Sequence, residues 1–247
     1  MDTYGIIGYP LEHSFSRSYF NEKFENEGID AQYLNFEIAN IAELPQILAE
    51  HPELKGFNVT SPYKEQVLLF LDEMDKDALA IGAVNVVKIV PQKGGNNKLV
   101  GYNSDCIGFT QSIEPLLEPH HKKALILGTG GASKAVIYGL KQLGLDCLSV
   151  SRRPYPNVIT YDELTSDVMR DYTVIVNCTP VGMYPQSEKC PNIPYQLLTP
   201  QHLLYDLIYN PDITLFMRKG MAMGATVKNG LEMLLLQAFA AWDIWNR

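Results

Sequence analysis

Lys123-Ala124-Leu125-Ile126-Leu127 runs directly into Gly128-Thr129-Gly130-Gly131-Ala132, and a helical pattern carrying Ala135, Val136, Ile137 and Leu140 follows. Strand, glycine turn and helix in that order constrain the fold more than any other segment. Glycine permits the tight turn, and the N–H groups opening the helix can then receive a pyrophosphate. Ser133 stands where the strict fingerprint has Gly or Ala. The turn begins at residue 128, so about a hundred residues precede it and must form a domain of their own.

Short apolar runs alternate with helical patterns along the whole chain, which predicts α/β architecture with parallel sheets. Expected strands are 4–8, 32–36, 55–59, 83–90, 99–102, 123–127, 145–150, 173–177 and 203–207, with a short last one at 226–227. Expected helices include 16–26, 41–50, 65–70, 105–117 and 133–143. Lys93-Gly94-Gly95-Asn96-Asn97 reads as a hairpin turn between two strands.

A dinucleotide site selective for the unphosphorylated ribose places Asp or Glu at the end of its second strand. That strand, 145–150, ends in Ser151-Arg152-Arg153, and Asp146 lies at its opposite end. Two guanidiniums suit a 2′-phosphate, which predicts NADP as the cofactor.

In Asn58-Val59-Thr60-Ser61-Pro62-Tyr63-Lys64 an amide, a hydroxyl and an amine follow the run Leu54–Phe57. They are expected at a strand-to-helix corner, with Pro62 in the first helical turn. Such a set can hold a small polyhydroxylated molecule and move a proton. Four more polar segments stand out: His13-Ser14-Phe15-Ser16, Gly82-Ala83-Val84-Asn85, Gly101-Tyr102-Asn103-Ser104-Asp105 and Asn177-Cys178-Thr179-Pro180. The second reads as an amide within a strand, and Asp105 suits a helix start.

With 20 Lys and Arg against 28 Asp and Glu, the chain carries a net charge of −8 and no long basic run. Nucleic acid and anionic membranes are therefore not expected partners. No run of about 20 apolar residues predicts a membrane span. Cys106, Cys147, Cys178 and Cys190 show no metal-type spacing. They are read as reduced thiols of a cytoplasmic protein, Cys147 in the core, with no metal expected. The start Met1-Asp2-Thr3-Tyr4 lacks the basic region of a signal peptide.

Together these segments resemble the shikimate dehydrogenase family over essentially the whole chain. The matching motifs are Ser14-x-Ser16, Asn58-x-Thr60-x-Pro62-x-Lys64, Gly82-Ala83-Val84-Asn85 and Gly101-x-Asn103-x-Asp105. They continue with Gly128-x-Gly130-Gly131-Ala132, Asn177-x-Thr179-Pro180-x-Gly182-Met183, Asp206-x-x-Tyr209-Asn210-Pro211 and Asn229-Gly230-Leu231-x-Met233-Leu234-x-x-Gln237. The resemblance implies reversible NADP-linked reduction of 3-dehydroshikimate to shikimate, a step of aromatic amino acid biosynthesis. It implies Lys64 and Asp105 as the catalytic pair. It implies substrate contacts from Ser14, Ser16, Asn58, Thr60, Asn85, Tyr209 and Gln237. Cofactor contacts are expected from Gly128, Thr129, Gly130, Gly131, Ala132, Ser151, Arg152, Arg153, Thr179, Leu207 and Gly230. The implied fold is two α/β domains, a substrate domain of 1–103 with 229–247 and a Rossmann-type NADP domain of 104–228, in a monomer or homodimer.

Three positions depart from the family pattern: Arg17 replaces the usual Pro, Ser104 the usual Thr, and Ser151-Arg152-Arg153 the usual Asn-Arg-Thr. Two other readings stand beside the main one. The first is a dehydrogenase that also accepts quinate, or NAD. The second is a non-catalytic NADP-binding regulator, which loss of Lys64 or Asp105 would have favoured.

Overall fold

The computed structural model describes residues 1–11, 15–94 and 97–247. The chain divides into two compact units, residues 1–104 with 238–247, and residues 105–237. His13 and Ser14, Gly95 and Asn96 lie outside the described residues.

The first unit holds β1 (Asp2–Gly8), α1 (Phe15–Glu27), β2 (Ala31–Glu37), α2 (Leu44–Glu50), β3 (Leu54–Val59), β4 (Glu73–Met74), α3 (Lys76–Ile81), β5 (Val86–Val90) and β6 (Lys98–Tyr102). Its sheet has the order β2-β1-β3-β5-β6-β4. The first three strands are parallel, but β5 runs antiparallel to both β3 and β6. The sheet is therefore mixed rather than parallel throughout, because β5 and β6 are joined as a hairpin with no helix between them.

Three local expectations are also corrected. The strand expected from residue 83 begins at Val86. Gly82 ends α3 in the left-handed conformation, and 83–85 form the link out of it. Asn85 thus precedes the strand rather than standing within it. Pro62 follows a cis peptide bond and lies in a turn; the helical segment after it is a 3-10 helix at Gln66–Phe70.

The second unit holds most of α4 (Ser104–Ile113), then β7 (Lys123–Leu127), α5 (Gly131–Gln142), β8 (Asp146–Ser151), β9 (Val158–Thr160), α6 (Ser166–Asp171), β10 (Val174–Asn177), β11 (Leu203–Asp206), α7 (Leu215–Ala222), β12 (Thr226–Lys228) and the start of α8 (Leu231–Asn246). The order β12-β11-β10-β7-β8-β9, parallel at every pairing, is the doubly wound Rossmann arrangement. Alternate residues feed opposite faces. Ala124, Ile126, Val174, Val176 and Leu203 join one core layer, and Leu125, Leu127, Ile175 and Leu204 the other.

The division falls inside α8 rather than before it at residue 229. Met233 packs in the core of the second unit, whereas Ala238, Ala241, Ile244 and Trp245 complete that of the first, beside Tyr4, Phe20 and Phe24. Trp245 donates its indole N–H to the Val87 carbonyl at 3.0 Å. A Cβ on Gly56 would sit 2.4 Å from the Trp245 ring, so glycine in β3 is what lets the last helix dock.

Candidate active site

The first unit gathers its chemistry along one sheet edge. β1, β2 and β3 end there, and antiparallel β5 begins there, since Asn58 stands opposite Val86. β6 ends at the same place, with Val86 opposite Tyr102. The carboxyl edge of parallel strands is the usual ligand position in open α/β sheets. The topology thus puts Asn58, Thr60, Asn85, Asn103 and Ser104 at that edge, with Ser16 in the first turn of α1 above it.

Hydrogen bonds join these groups into a chain. Tyr33 donates its hydroxyl to Asn58 Oδ1 at 2.6 Å, and its side chain is also hydrogen-bonded to Ser16. Asn58 Nδ2 donates to the Asn85 carbonyl at 3.2 Å. Asn85 in turn engages Ser104 twice, receiving its N–H at 2.7 Å and donating to its hydroxyl at 2.9 Å. Asn103 donates to the Ala83 carbonyl at 2.8 Å. The Asn85 amide therefore acts as the cap of α4, which satisfies a helix N–H that has no intrahelical partner.

Backbone bonds hold the catalytic candidates' surroundings. The N–H of Thr60 donates to the Ile7 carbonyl, and the carbonyl of Lys64 receives the N–H of Val84, at 2.9 and 2.8 Å. Lys64 is half-buried in the turn after β3; Asp105 is buried in the first turn of α4. The two belong to different units. Ser14 lies outside the described residues.

In the second unit, Gly128 turns the chain at φ 108°, and its N–H donates to the Val150 carbonyl at 2.9 Å. Gly130 caps α5, and Ser133 closes the first turn by donating its hydroxyl to the Gly130 carbonyl at 2.7 Å. The serine that departs from the strict fingerprint therefore supports the turn. Gly131 and Ala132 open the helix, and Thr129 is exposed beside them. Beyond β8 the Ser151 hydroxyl receives the N–H of Arg153 at 3.4 Å. Arg152 and Arg153 are exposed, and neither forms an ion pair among the described residues.

Sequence reasoning missed the polar core behind this turn. Asp206 is fully buried at the end of β11. Its Oδ1 receives Asn177 Nδ2 at 3.0 Å and the Ile208 N–H at 3.1 Å, and its Oδ2 receives the Thr214 hydroxyl at 2.7 Å. Burial pushes its carboxyl from 3.8 up to about 6, the three hydrogen bonds opposing the rise. Asn177 Oδ1 receives both the N–H and the hydroxyl of Thr179, at 3.0 and 2.6 Å. Thr179 lies against Gly128, where a Cβ would meet its methyl at 3.0 Å. The chain of contacts thus runs from the α7 cap to the glycine turn. The signal was present in Asn177-x-Thr179 and Asp206, which end adjacent parallel strands and pair in register.

Leu207 and Gly230 also come together. The Gly230 N–H donates to the Ile208 carbonyl at 3.0 Å, and a Cβ there would stand 2.1 Å from the Leu207 carbonyl oxygen. Tyr209 is about a third exposed after β11, and partial burial raises its phenol. Gln237 is buried on α8 and donates to the Leu234 carbonyl at 2.8 Å.

Residues 6–87 match the family described as the shikimate dehydrogenase substrate binding domain. A shikimate dehydrogenase (NADP(+)) of Desulforamulus reducens is 35% identical, the match covering 98% of this chain and 89% of that protein. The chain belongs to the shikimate dehydrogenase family. The crystal structure of the family's member from Aquifex aeolicus superposes with a TM-score of 0.85 at 36% identity, covering 100% of this chain and 92% of that one. The Thermus thermophilus enzyme, solved in complex with NADP(H) and shikimate, gives 0.85 at 31% identity, covering 99% and 93%.

The second unit of this family member suits such a cofactor. It offers a helix N-terminus for the pyrophosphate, two exposed guanidiniums past β8, and no carboxylate at that strand end to repel a 2′-phosphate. Among the described residues no group of three or more His, Cys, Asp or Glu is placed to hold a metal ion. All four cysteines are free thiols; Cys147 is only partly buried, at the margin of a core layer, and burial pushes its thiol to about 11. No helix among the described residues is long and apolar enough to cross a membrane.

Proposed function

We propose that this chain catalyses the reversible NADPH-dependent reduction of 3-dehydroshikimate to shikimate, in the cytoplasm, as a monomer or homodimer. The observation that carries this reading is the pairing, on one chain, of a polar sheet edge with a Rossmann unit whose second strand ends in two arginines. Full-length kinship to NADP-dependent shikimate dehydrogenases supports it.

The cofactor supplies the hydride, and the protein's tasks are to orient the ring and handle one proton. The α5 N-terminus with Gly128, Thr129, Gly130, Gly131 and Ala132 would hold the pyrophosphate. Ser151, Arg152 and Arg153 would hold the 2′-phosphate, with Thr179, Leu207 and Gly230 at the nicotinamide side. Ser14 and Ser16 would hold the substrate carboxylate with Tyr209 nearby. Asn58, Thr60, Asn85, Asp105 and Gln237 would hold ring hydroxyls. As the ketone is reduced, the Lys64 ammonium gives a proton to the developing alkoxide; in oxidation its amine takes the proton back. Asp105 orients that ammonium.

Purified protein assayed with shikimate and quinate, each with NADP⁺ and NAD⁺, tests the proposal. Turnover with shikimate and NADP⁺ at least tenfold above the other three pairs is expected. Equal use of quinate or NAD⁺ would refute the specificity, and no turnover by folded, NADP⁺-binding protein would leave the regulator reading.

A further inference from the structure

Tyr33 lies in β2, in none of the motifs that mark this family in the sequence, yet its hydroxyl joins two residues placed at the substrate. It is 1% exposed, and its ring stacks on Phe20 at 4.8 Å with an interplanar angle of 12°. Asn21 of α1 brackets its backbone, receiving the Tyr33 N–H at 2.9 Å and donating to the Tyr33 carbonyl at 3.0 Å. Position and rotamer are thereby fixed from both sides. Held there, the hydroxyl meets Asn58 Oδ1, at 2.6 Å, and Ser16.

A side-chain amide has two faces, a carbonyl and an NH₂, and nothing intrinsic decides which points where. For Asn58 the Asn85 carbonyl, which can only accept, draws Nδ2 toward itself at 3.2 Å, and the Tyr33 hydroxyl holds the other face by donating to Oδ1 at 2.6 Å. Without that donor the amide oxygen loses its anchor and the side chain is free to turn. The same hydroxyl anchors Ser16 on α1, so one atom ties together α1, β2 and β3. Tyr63, by contrast, donates its hydroxyl to a backbone carbonyl, that of Ile38, at 2.6 Å.

We infer that Tyr33 is a positioning residue for shikimate: it sets the Asn58 amide and the Ser16 hydroxyl in the orientation that binds the substrate. The inference rests on the proposed placement of substrate at Ser16 and Asn58. Tyr33→Phe keeps the stacked ring and removes only the oxygen.

Steady-state kinetics of Tyr33→Phe, Asn58→Ala, Ser16→Ala and the double variant Tyr33→Phe/Asn58→Ala test it, with thermal unfolding of each. Tyr33→Phe is expected to raise the KM for shikimate about tenfold, the worth of one hydrogen bond to a fixed group. The kcat should stay within about threefold, and the KM for NADP⁺ should not move. The double variant should raise the KM for shikimate by clearly less than the product of the two single effects, because the part of the Tyr33 effect that runs through Asn58 is already lost. Tyr205→Phe, which removes another buried phenol bond, to Ser112 at 2.6 Å, should lower the Tm with no change in the KM for shikimate. If Asn58→Ala raises that KM and Tyr33→Phe does not, Tyr33 is a core residue and the inference falls. If neither Asn58→Ala nor Ser16→Ala changes it, the placement of the substrate falls, and the inference with it.

Discussion

Asp206→Asn should change how stability depends on pH, and the size of the change follows from the burial of one carboxyl. The group titrates near 3.8 when exposed and at about 6 in the fold. At about 1.4 kcal/mol per pH unit of displacement, the folded state holds the charged form at a cost of about 3 kcal/mol. Between those two values the native state binds a proton that the unfolded chain has lost, so stability falls as pH rises through the window and is flat above it. For a single group of this kind, about 2 kcal/mol of the fall lies between pH 4.5 and 7.5. Asn does not titrate there. The amide oxygen can still receive the Asn177 and Ile208 donors, and the Thr214 hydroxyl can rotate to accept from the introduced NH₂. Amide hydrogen exchange in β10 and β11, compared between the two proteins at each pH, isolates the difference from other carboxylates and from intrinsic exchange rates. The wild type should lose about 2 kcal/mol relative to Asp206→Asn across that range. Parallel profiles, within about 0.5 kcal/mol, would refute the claim that burial dominates this carboxyl.

Lys64→Ala should lower kcat by about 10²–10⁴ with a much smaller change in the KM for shikimate; near-normal kcat would remove Lys64 from proton transfer. Replacing Arg152 and Arg153 together by Ala should raise the KM for NADP⁺ about a hundredfold and leave that for NAD⁺ nearly unchanged, since each charged hydrogen bond is worth roughly 1.5–3 kcal/mol. Equal losses for both cofactors would mean the arginines do not read the 2′-phosphate. Gly230→Ala forces a methyl toward the Leu207 carbonyl, and should destabilise the second unit by about 1–3 kcal/mol and raise the KM for NADP⁺. A wild-type Tm and KM would show that the loop yields freely.

What the sequence made legible was mostly periodic or local. The central strands of the second unit, β7, β10 and β11, read clearly because each is an apolar run covered on both faces, and the glycine turn announces itself by spacing, whereas the short edge strand β9 was missed. Short helices, with one or two turns in which to show a period, were lost. α3 and α7 were not foreseen, although Asp75 and Thr214 cap them and Gly82 closes the first. The antiparallel pairing of β5 with β6 was legible in the hairpin turn expected at 93–97, but that of β5 with β3 was not, since alternation of apolar runs does not say which strands become neighbours. Asn58, Thr60, Asn85 and Asn103, named from motifs, fell along one sheet edge of the first unit, and Asn177 and Asp206 at adjacent strand ends of the second. Tyr33, named in no motif, and the acceptor role of Asp206 were hidden because their partners are distant in sequence. A tyrosine in an apolar strand reads as core until its hydroxyl's neighbours are known.

The docking of Trp245 against Gly56 and Val87 has a consequence for biogenesis. The first hundred residues leave the ribosome early but lack the helix that seals one side of their sheet. That helix is made only after the whole of the second unit, roughly ten seconds or more later. Through that interval Tyr4, Phe20 and Phe24 have no Trp245 to cover them. The middle of the chain, by contrast, contains every strand of its own sheet before that helix emerges. The order of emergence is therefore the reverse of the order of completion, and the amino-terminal sheet is the part most in need of a chaperone.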